Sequence, residues 1–335
     1  MQPKSLKKNL NVEPKDISEL IKSHYSILMQ SFYESQSAFL CGSYKKYKSI
    51  ESANIILCFQ RNIHLEIIRQ REKDLNYNVS LENFWDNYNN INKPIEKIVS
   101  ISKITDLPKE TVRRKINKLK DLGFLINQEK GFSFNISEKD KEMFSKHSES
   151  ETKNLSTFVA KILNNLNIKI KSEVVEREIK SQFSFYWYHY LSCQIEWLKW
   201  WQAELKDNDL LLIALQATIP TLHYMDKNMK ILNLDEVFLI TGKVERDVKN
   251  KNFDISATSV SDVTGIPRPT SIRKLDKLVN LGFLTRDDKT KRYSVNQSTD
   301  ARTKNILSRS NVNFTIKTFS EYIAIILNSL FHNKL

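Results

Sequence analysis

The sequence predicts a mainly α protein with small β-hairpins, built as two tandem copies of one unit. Three observations carry that prediction. The stretch Ile104 to Leu125, ITDLPKETVRRKINKLKDLGFL, returns without a gap as Val263 to Leu284, VTGIPRPTSIRKLDKLVNLGFL, at an offset of 159 and with 11 of 22 positions identical. Each copy ends in Gly-Phe-Leu and is followed by a polar turn and a short alternating segment, Phe132-Ser133-Phe134 or Tyr293-Ser294-Val295, which is the pattern of a hairpin. Elsewhere the apolar residues recur at i, i+3 and i+4, the spacing of helices.

Taken in order, residues 1 to 15 read as a mobile basic tail. Ile17, Leu20, Ile21 and Leu28 predict a helix from Asp16 to about Leu40, and Ile55, Ile56, Phe59, Ile63 and Ile67 a second from Ser52 to about Lys73. A short helix spans Leu81 to Tyr88. Residues 95 to 103 and 108 to 122 supply the two helices of the repeated motif. In the second of them Pro108 is expected at the first helical position, where a missing N–H costs nothing. Val112, Ile116 and Leu119 then form the inward stripe, and Gly123 ends the helix in the left-handed region. Pro267, Ile272, Leu275, Leu278 and Gly282 are assigned the same roles in the second copy. The charged run 137 to 153 reads as a loop or frayed helix, and Leu155 to Ile168 as an apolar helix.

The order then recurs through Phe183 to Leu205, Asp209 to about Met225, Leu234 to about Ile240, the motif, and Asn313 to Leu330. Ser156, Phe158, Ala160, Ile162 and Asn164 find counterparts in Ser320, Tyr322, Ala324, Ile326 and Asn328. Gln60 and Ile63 pair more weakly with Gln216 and Ile219. The units are therefore drawn at 16–170, with the motif at 95–136, and 171–335, with the motif at 255–298.

Composition narrows the function. A chain of 335 residues with 40% hydrophobic content is long enough for about two domains. A net charge of +13 and a pI near 9.4 favour acidic partners, although Lys, Asn, Ile and Ser crowd the whole chain, so the position of the charge says more than its total. Cys41, Cys58 and Cys193 lack paired spacing and suggest buried thiols in a reducing cytosol. The amino terminus has no apolar signal-like run, and Leu210 to Ile219 is too short to span a bilayer, so a cytoplasmic location with no membrane partner is expected. The histidines show no metal-ligand spacing, and no nucleotide-binding or hydrolase motif occurs. No enzyme activity, cofactor or metal is expected. The aromatic stretch Phe183 to Trp201 reads as core or as an interface between the halves, with a small-molecule effector pocket as the minority reading.

The second motif helix carries the chemistry. In the first copy Lys109, Arg113, Arg114, Lys115, Lys118 and Lys120 stand against one acid, Glu110; in the second, Arg268, Arg273, Lys274 and Lys277 stand against Asp276. Lys289, Lys291 and Arg292 add charge to the second hairpin, where phosphate or minor-groove contact would be made. The segment TGIPRPTSIRKLDKLVNLGFLTRDDKTKRYSV resembles the winged helix-turn-helix of MarR-type and IclR-type transcriptional regulators, about 40 residues per copy. The first copy departs from the pattern at Asp106, where the family has glycine, and has a shorter wing. The helices around each motif are more similar to the MarR arrangement, in which terminal helices pair two subunits.

That resemblance implies tandem winged helix-turn-helix domains in a pseudo-two-fold, MarR-dimer-like chain. It implies sequence-specific double-stranded DNA binding for transcription regulation, by a monomeric pseudo-dimer or a homodimer of it. DNA-contacting roles pass to Thr111, Arg113 and Arg114, and to Thr270 and Arg273, with the other cations named above on phosphates. Ile272 replaces Arg113 in the second copy, so the expectation is a division of labour: Val263 to Leu284 reads a half-site while Ile104 to Leu125 grips the backbone. A plasmid-type replication initiator with two winged helices and a winged-helix protein-interaction scaffold are the alternatives.

Overall fold

The computed structural model describes residues 12–241, 254–296 and 309–332. The first half runs α1 (Pro14–Ser23), α2 (Tyr25–Tyr47), α3 (Ile50–Lys73), α4 (Leu81–Asp86), a 3-10 turn (Tyr88–Asn90), α5 (Ile98–Thr105), α6 (Lys109–Asp121), β1 (Leu125–Gln128), β2 (Gly131–Phe134) and α7 (Glu138–Asn165). The second runs α8 (Ser172–Ser181), α9 (Phe183–Leu205), α10 (Asn208–Asn228), α11 (Leu234–Thr241), α12 (Ala257–Thr264), α13 (Arg268–Asn280), β3 (Leu284–Arg286), β4 (Tyr293–Val295) and α14 (Arg309–His332). The fold is mainly helical with two small antiparallel hairpins, β1–β2 and β3–β4.

Several boundaries differ from the sequence reading. The expected helix from Asp16 is two helices, broken at His24, and the same break falls at Gln182 between α8 and α9. A single residue leaving helical dihedrals preserves the apolar face on both sides, so periodicity does not report it. The run expected as a loop or frayed helix, 137–153, is helical from Glu138 and continuous with the apolar helix after it. Ser137 caps the start by accepting from the Asp140 N–H, Glu138 and Asp140 complement the helix dipole, and the charged run still buries Phe144, Ser148, Glu151 and Thr152. The supposed tail is docked from residue 12 onward: Val12 is buried, its N–H donates to Asn328 Oδ1 at 2.9 Å, and its carbonyl accepts from Asn328 Nδ2. Residues 1–11 of that tail, and 297–298 at the end of the second motif, lie outside the described residues.

Element starts place the two halves in register at an offset of 158 from α1/α8 through α3/α10. This identifies α8, unread in the sequence, as the counterpart of α1. It also moves the weak Gln60–Gln216 match by two positions, so that Gln60 corresponds to Thr218.

The halves share one core. α3 packs along α9, and reciprocally α10 packs along α2; α7 packs on α8, and α14 on α1; α5 meets α9, and α12 meets α2. Single hydrogen bonds repeat the exchange. The Ser26 N–H donates to the Leu232 carbonyl and the Ser184 N–H to the Val79 carbonyl. Asn164 brackets the backbone of Ile170 as Asn328 brackets that of Val12. Contacts that come in such reciprocal pairs are the pattern of an isologous two-fold interface, here within one chain. The aromatic stretch Phe183 to Trp201 lies on α9, in this shared core.

Candidate nucleic-acid interface

Each motif is two short helices, a tight turn and a hairpin, stitched the same way twice. Thr105 and Thr264, both fully buried, donate from Oγ1 to the carbonyls of Ile101 and Val260 and accept from the N–H groups of Leu107 and Ile266, closing the turn between α5 and α6 and between α12 and α13. The turn residue is left-handed in both copies, Gly265 at φ 76° and Asp106 at φ 59°. Aspartate tolerates that region through its short polar side chain. Pro108 and Pro267 are the N-caps, one position earlier than expected, with extended ψ values of 139° and 136°.

Both second helices end in a Schellman arrangement. The Phe124 N–H reaches the Leu119 carbonyl and the Gly123 N–H that of Lys120, as Phe283 does with Leu278 and Gly282 with Val279. Each hairpin gains a third, bridging segment, Glu96 against Phe132 and Ile255 against Tyr293. Each closes with an asparagine, Asn135 or Asn296, whose amide donates to the carbonyl of the helix-ending glycine.

This frame sorts the predicted residues. Lys109, Arg113, Arg114 and Lys118 are exposed on α6, as are Arg268, Arg273 and Lys277 on α13, and Lys289, Lys291 and Arg292 on the second hairpin. Thr111 and Thr270 are half-buried in the first turns of α6 and α13. Arg113 pairs with Glu110 at 2.6 Å, Arg268 donates to Thr258 Oγ1, and Arg292 to the Asp254 carbonyl. The second hairpin's turn is built on Asp287, whose carboxylate accepts from the Lys289 and Thr290 N–H groups; Lys291 follows at φ 56°. Asp276, counted as a stray acid among the cations, holds the hairpin to α13: it accepts from Tyr293 Oη at 2.9 Å and pairs with Arg286 at 3.4 Å.

Two assigned cations are turned away from solvent. Lys115 Nζ lies 2.6 Å from Glu51 and 2.7 Å from Ser49 Oγ; Lys274 Nζ lies 2.6 Å from Asp207 and 3.3 Å from Asp209, and its residue is only 9% exposed. These acids stand at the amino-terminal ends of α3 and α10. The two ends touch, since the Ile50 N–H donates to Asp209 Oδ1 at 3.1 Å. Lys115 and Lys274 therefore anchor α6 and α13 to the shared core. Lysine reaches such sites because its four-carbon stem lies along apolar surface while the ammonium finds an acid. Ser49, Glu51, Asp207 and Asp209 were not singled out from the sequence: helix starts favour acids anywhere, and nothing local ties them to lysines more than 60 residues away.

Ile272, assigned to the inward stripe, is half-buried at its edge. The position matching Val112 is Ser271, fully buried with Oγ donating to the Ile266 carbonyl.

Among the described residues no group of His, Cys, Asp or Glu is arranged to hold a metal, and no helix is long and apolar enough to cross a membrane. All three cysteines are buried free thiols. Comparison with protein-family models, with curated proteins and with solved structures returns no match to this chain.

Proposed function

We propose that the chain is a sequence-specific double-stranded DNA-binding protein, a transcription regulator in which α6 and α13 are the recognition helices of two winged helix-turn-helix units fused as a pseudo-dimer. One observation supports this most: both motifs turn a row of exposed cations outward while an inward lysine ties each to the same pair of touching helix ends. Cations in such rows neutralise phosphates, and side chains in the first turns of a recognition helix reach base edges. Arg114 and Arg273 occupy matching exposed positions on the two helices, whereas the position of Arg113 is held by Ile272 in the second copy. The two half-sites are therefore expected to differ in sequence.

Selection of bound duplexes from random DNA, followed by footprinting, tests the reading. The expected product is an imperfect palindrome covered by one chain. Failure to retain any duplex at low salt overturns it. Arg114→Ala or Arg273→Ala is expected to weaken binding by ~1–3 kcal/mol if the residue contacts a base.

A further inference from the structure

The duplication allows α6 and α13 to be compared position by position, and their identities are not scattered. At the offset of 159, Thr111, Arg114, Lys115, Lys118, Leu119 and Leu122 recur as Thr270, Arg273, Lys274, Lys277, Leu278 and Leu281. With about 100° of turn per residue, positions 111, 114, 115, 118 and 122 form a single stripe about 100° wide. That stripe is not the core face, where Val112 and Ile116 give way to Ser271 and Leu275. The rest of the outward surface has diverged: Lys109 becomes Arg268, Glu110 Pro269, Arg113 Ile272 and Asn117 Asp276.

The shared stripe has a direction. Lys115 and Lys274 belong to it, and each reaches the acids at the start of α3 or α10, two helix ends that touch through the Ile50 N–H and Asp209. The shared flanks of the two helices therefore face one another across the pseudo-two-fold axis. Each hairpin sits against the opposite flank. Asp276 of α13 accepts from Tyr293 Oη and pairs with Arg286, while Lys120 of α6 lies over the Phe132 ring, 5.9 Å from its centre.

The two flanks differ in chemistry. Beside each anchoring lysine, Arg114 and Lys118, or Arg273 and Lys277, are exposed and make no side-chain hydrogen bond or ion pair among the described residues. On the far flank Arg113 is held by Glu110 and Arg268 by Thr258. The hairpins on that side are unlike. The first turns in two residues, Glu129 and Lys130, between the paired Gln128 and Gly131. The second turns over 287–292, pinned by the Asp287 carboxylate, and presents Lys289, Lys291 and Arg292. Two helices held side by side over one duplex turn their facing flanks to the base pairs between them and their other flanks to the ends of the site. An arginine in the major groove selects guanine through O6 and N7, whereas cations on a hairpin grip phosphate or a narrow minor groove.

We propose that the DNA site is symmetric in its inner base pairs and asymmetric in its outer ones. Arg114 and Arg273 each take a guanine at equal distance from the centre, and the outer ends are contacted differently, with the protein reaching farther at the α13 end. The proposal rests on α6 and α13 being the recognition helices of a DNA-binding chain. Duplexes selected from random DNA by the full chain, by Arg114→Ala and by Arg273→Ala test it, together with phosphate-ethylation interference on the wild-type and Lys289→Ala complexes. The wild-type consensus is expected to carry one inner guanine in each half and to differ between halves only farther out. Each arginine variant is expected to lose about tenfold discrimination at one inner guanine and to keep the other. Essential phosphates are expected to extend farther from the centre on one side, and Lys289→Ala to remove that excess. Retention of no duplex at low salt ends the DNA-binding reading and the proposal with it. A consensus whose inner pairs differ between halves, an arginine variant that alters only outer pairs, or phosphate contacts reaching equally far on both sides overturns the proposal alone.

Discussion

Lys115 and Lys274 show how far the meaning of a residue depends on the face it occupies. Both belong to the cation row when α6 and α13 are read as strings, and both end on acids at the start of a long helix. Removing one ammonium leaves partly buried carboxylates without their partner, a larger loss than that of an exposed pair. Lys274→Met is therefore expected to cost ~1–3 kcal/mol in urea denaturation. It should leave the salt dependence of DNA binding unchanged, whereas Lys277→Ala should reduce the salt slope by about one phosphate. Glu151 gives a second test. Burial raises its carboxyl to about 7, against the lowering effect of the Tyr190 hydroxyl that donates to it. A carboxyl whose folded pKa is raised favours the folded state fully below the unfolded pKa of ~4.3, and that stability is lost as pH rises through about 7. Glu151→Gln should raise the melting temperature at pH 8 and do so much less at pH 5, as thermal scans at the two pH values will show.

At the scale of elements, the hairpins depend on close approach and the helix ends on handedness, and two glycines separate the effects. A Cβ on Gly131 would lie 2.3 Å from the Glu96 carbonyl oxygen, inside the bridge that adds a third segment to β1–β2. One on Gly123, at φ 81°, meets nothing within 4 Å. Gly123→Ala should cost only the left-handed strain of ~1–2 kcal/mol. Gly131→Ala must displace backbone, should cost more, and should alone detach the hairpin, seen as faster amide exchange at Phe132. The Schellman ends were legible from Gly-Phe-Leu because the motif is local: glycine, carbonyls and apolar clasp lie within six residues. The Thr105 and Thr264 stitches were present in the repeat as an invariant threonine between the copies, but a shared threonine does not disclose which carbonyl it meets.

Across the whole molecule, reciprocal packing means that neither half holds a core of its own. α2 is covered by α10 and α9 by α3, so the full chain is expected to unfold as one cooperative unit. The bracket of Asn328 on Val12 repeats that of Asn164 on Ile170, although one joins distant ends of the sequence and the other a continuous turn. A circular permutant opened between Ile168 and Ile170, with Leu335 joined to Met1, is expected to unfold in one transition, because the packing between the halves is unchanged by where the chain is opened. Two separate transitions in urea would contradict a shared core.

The duplication, the helical class, the two hairpins and the exposed cations of α6 and α13 were determined by sequence alone, because each rests on periodicity or on contacts between near neighbours. The tertiary structure decided which lysines face inward, that the charged run after Ser137 is a regular helix with one buried face, that α8 answers α1, and that the halves interlock. Those features arise between residues tens to hundreds of positions apart, where a side chain's surroundings are set by the other half of the duplicated fold and leave no mark on the local pattern.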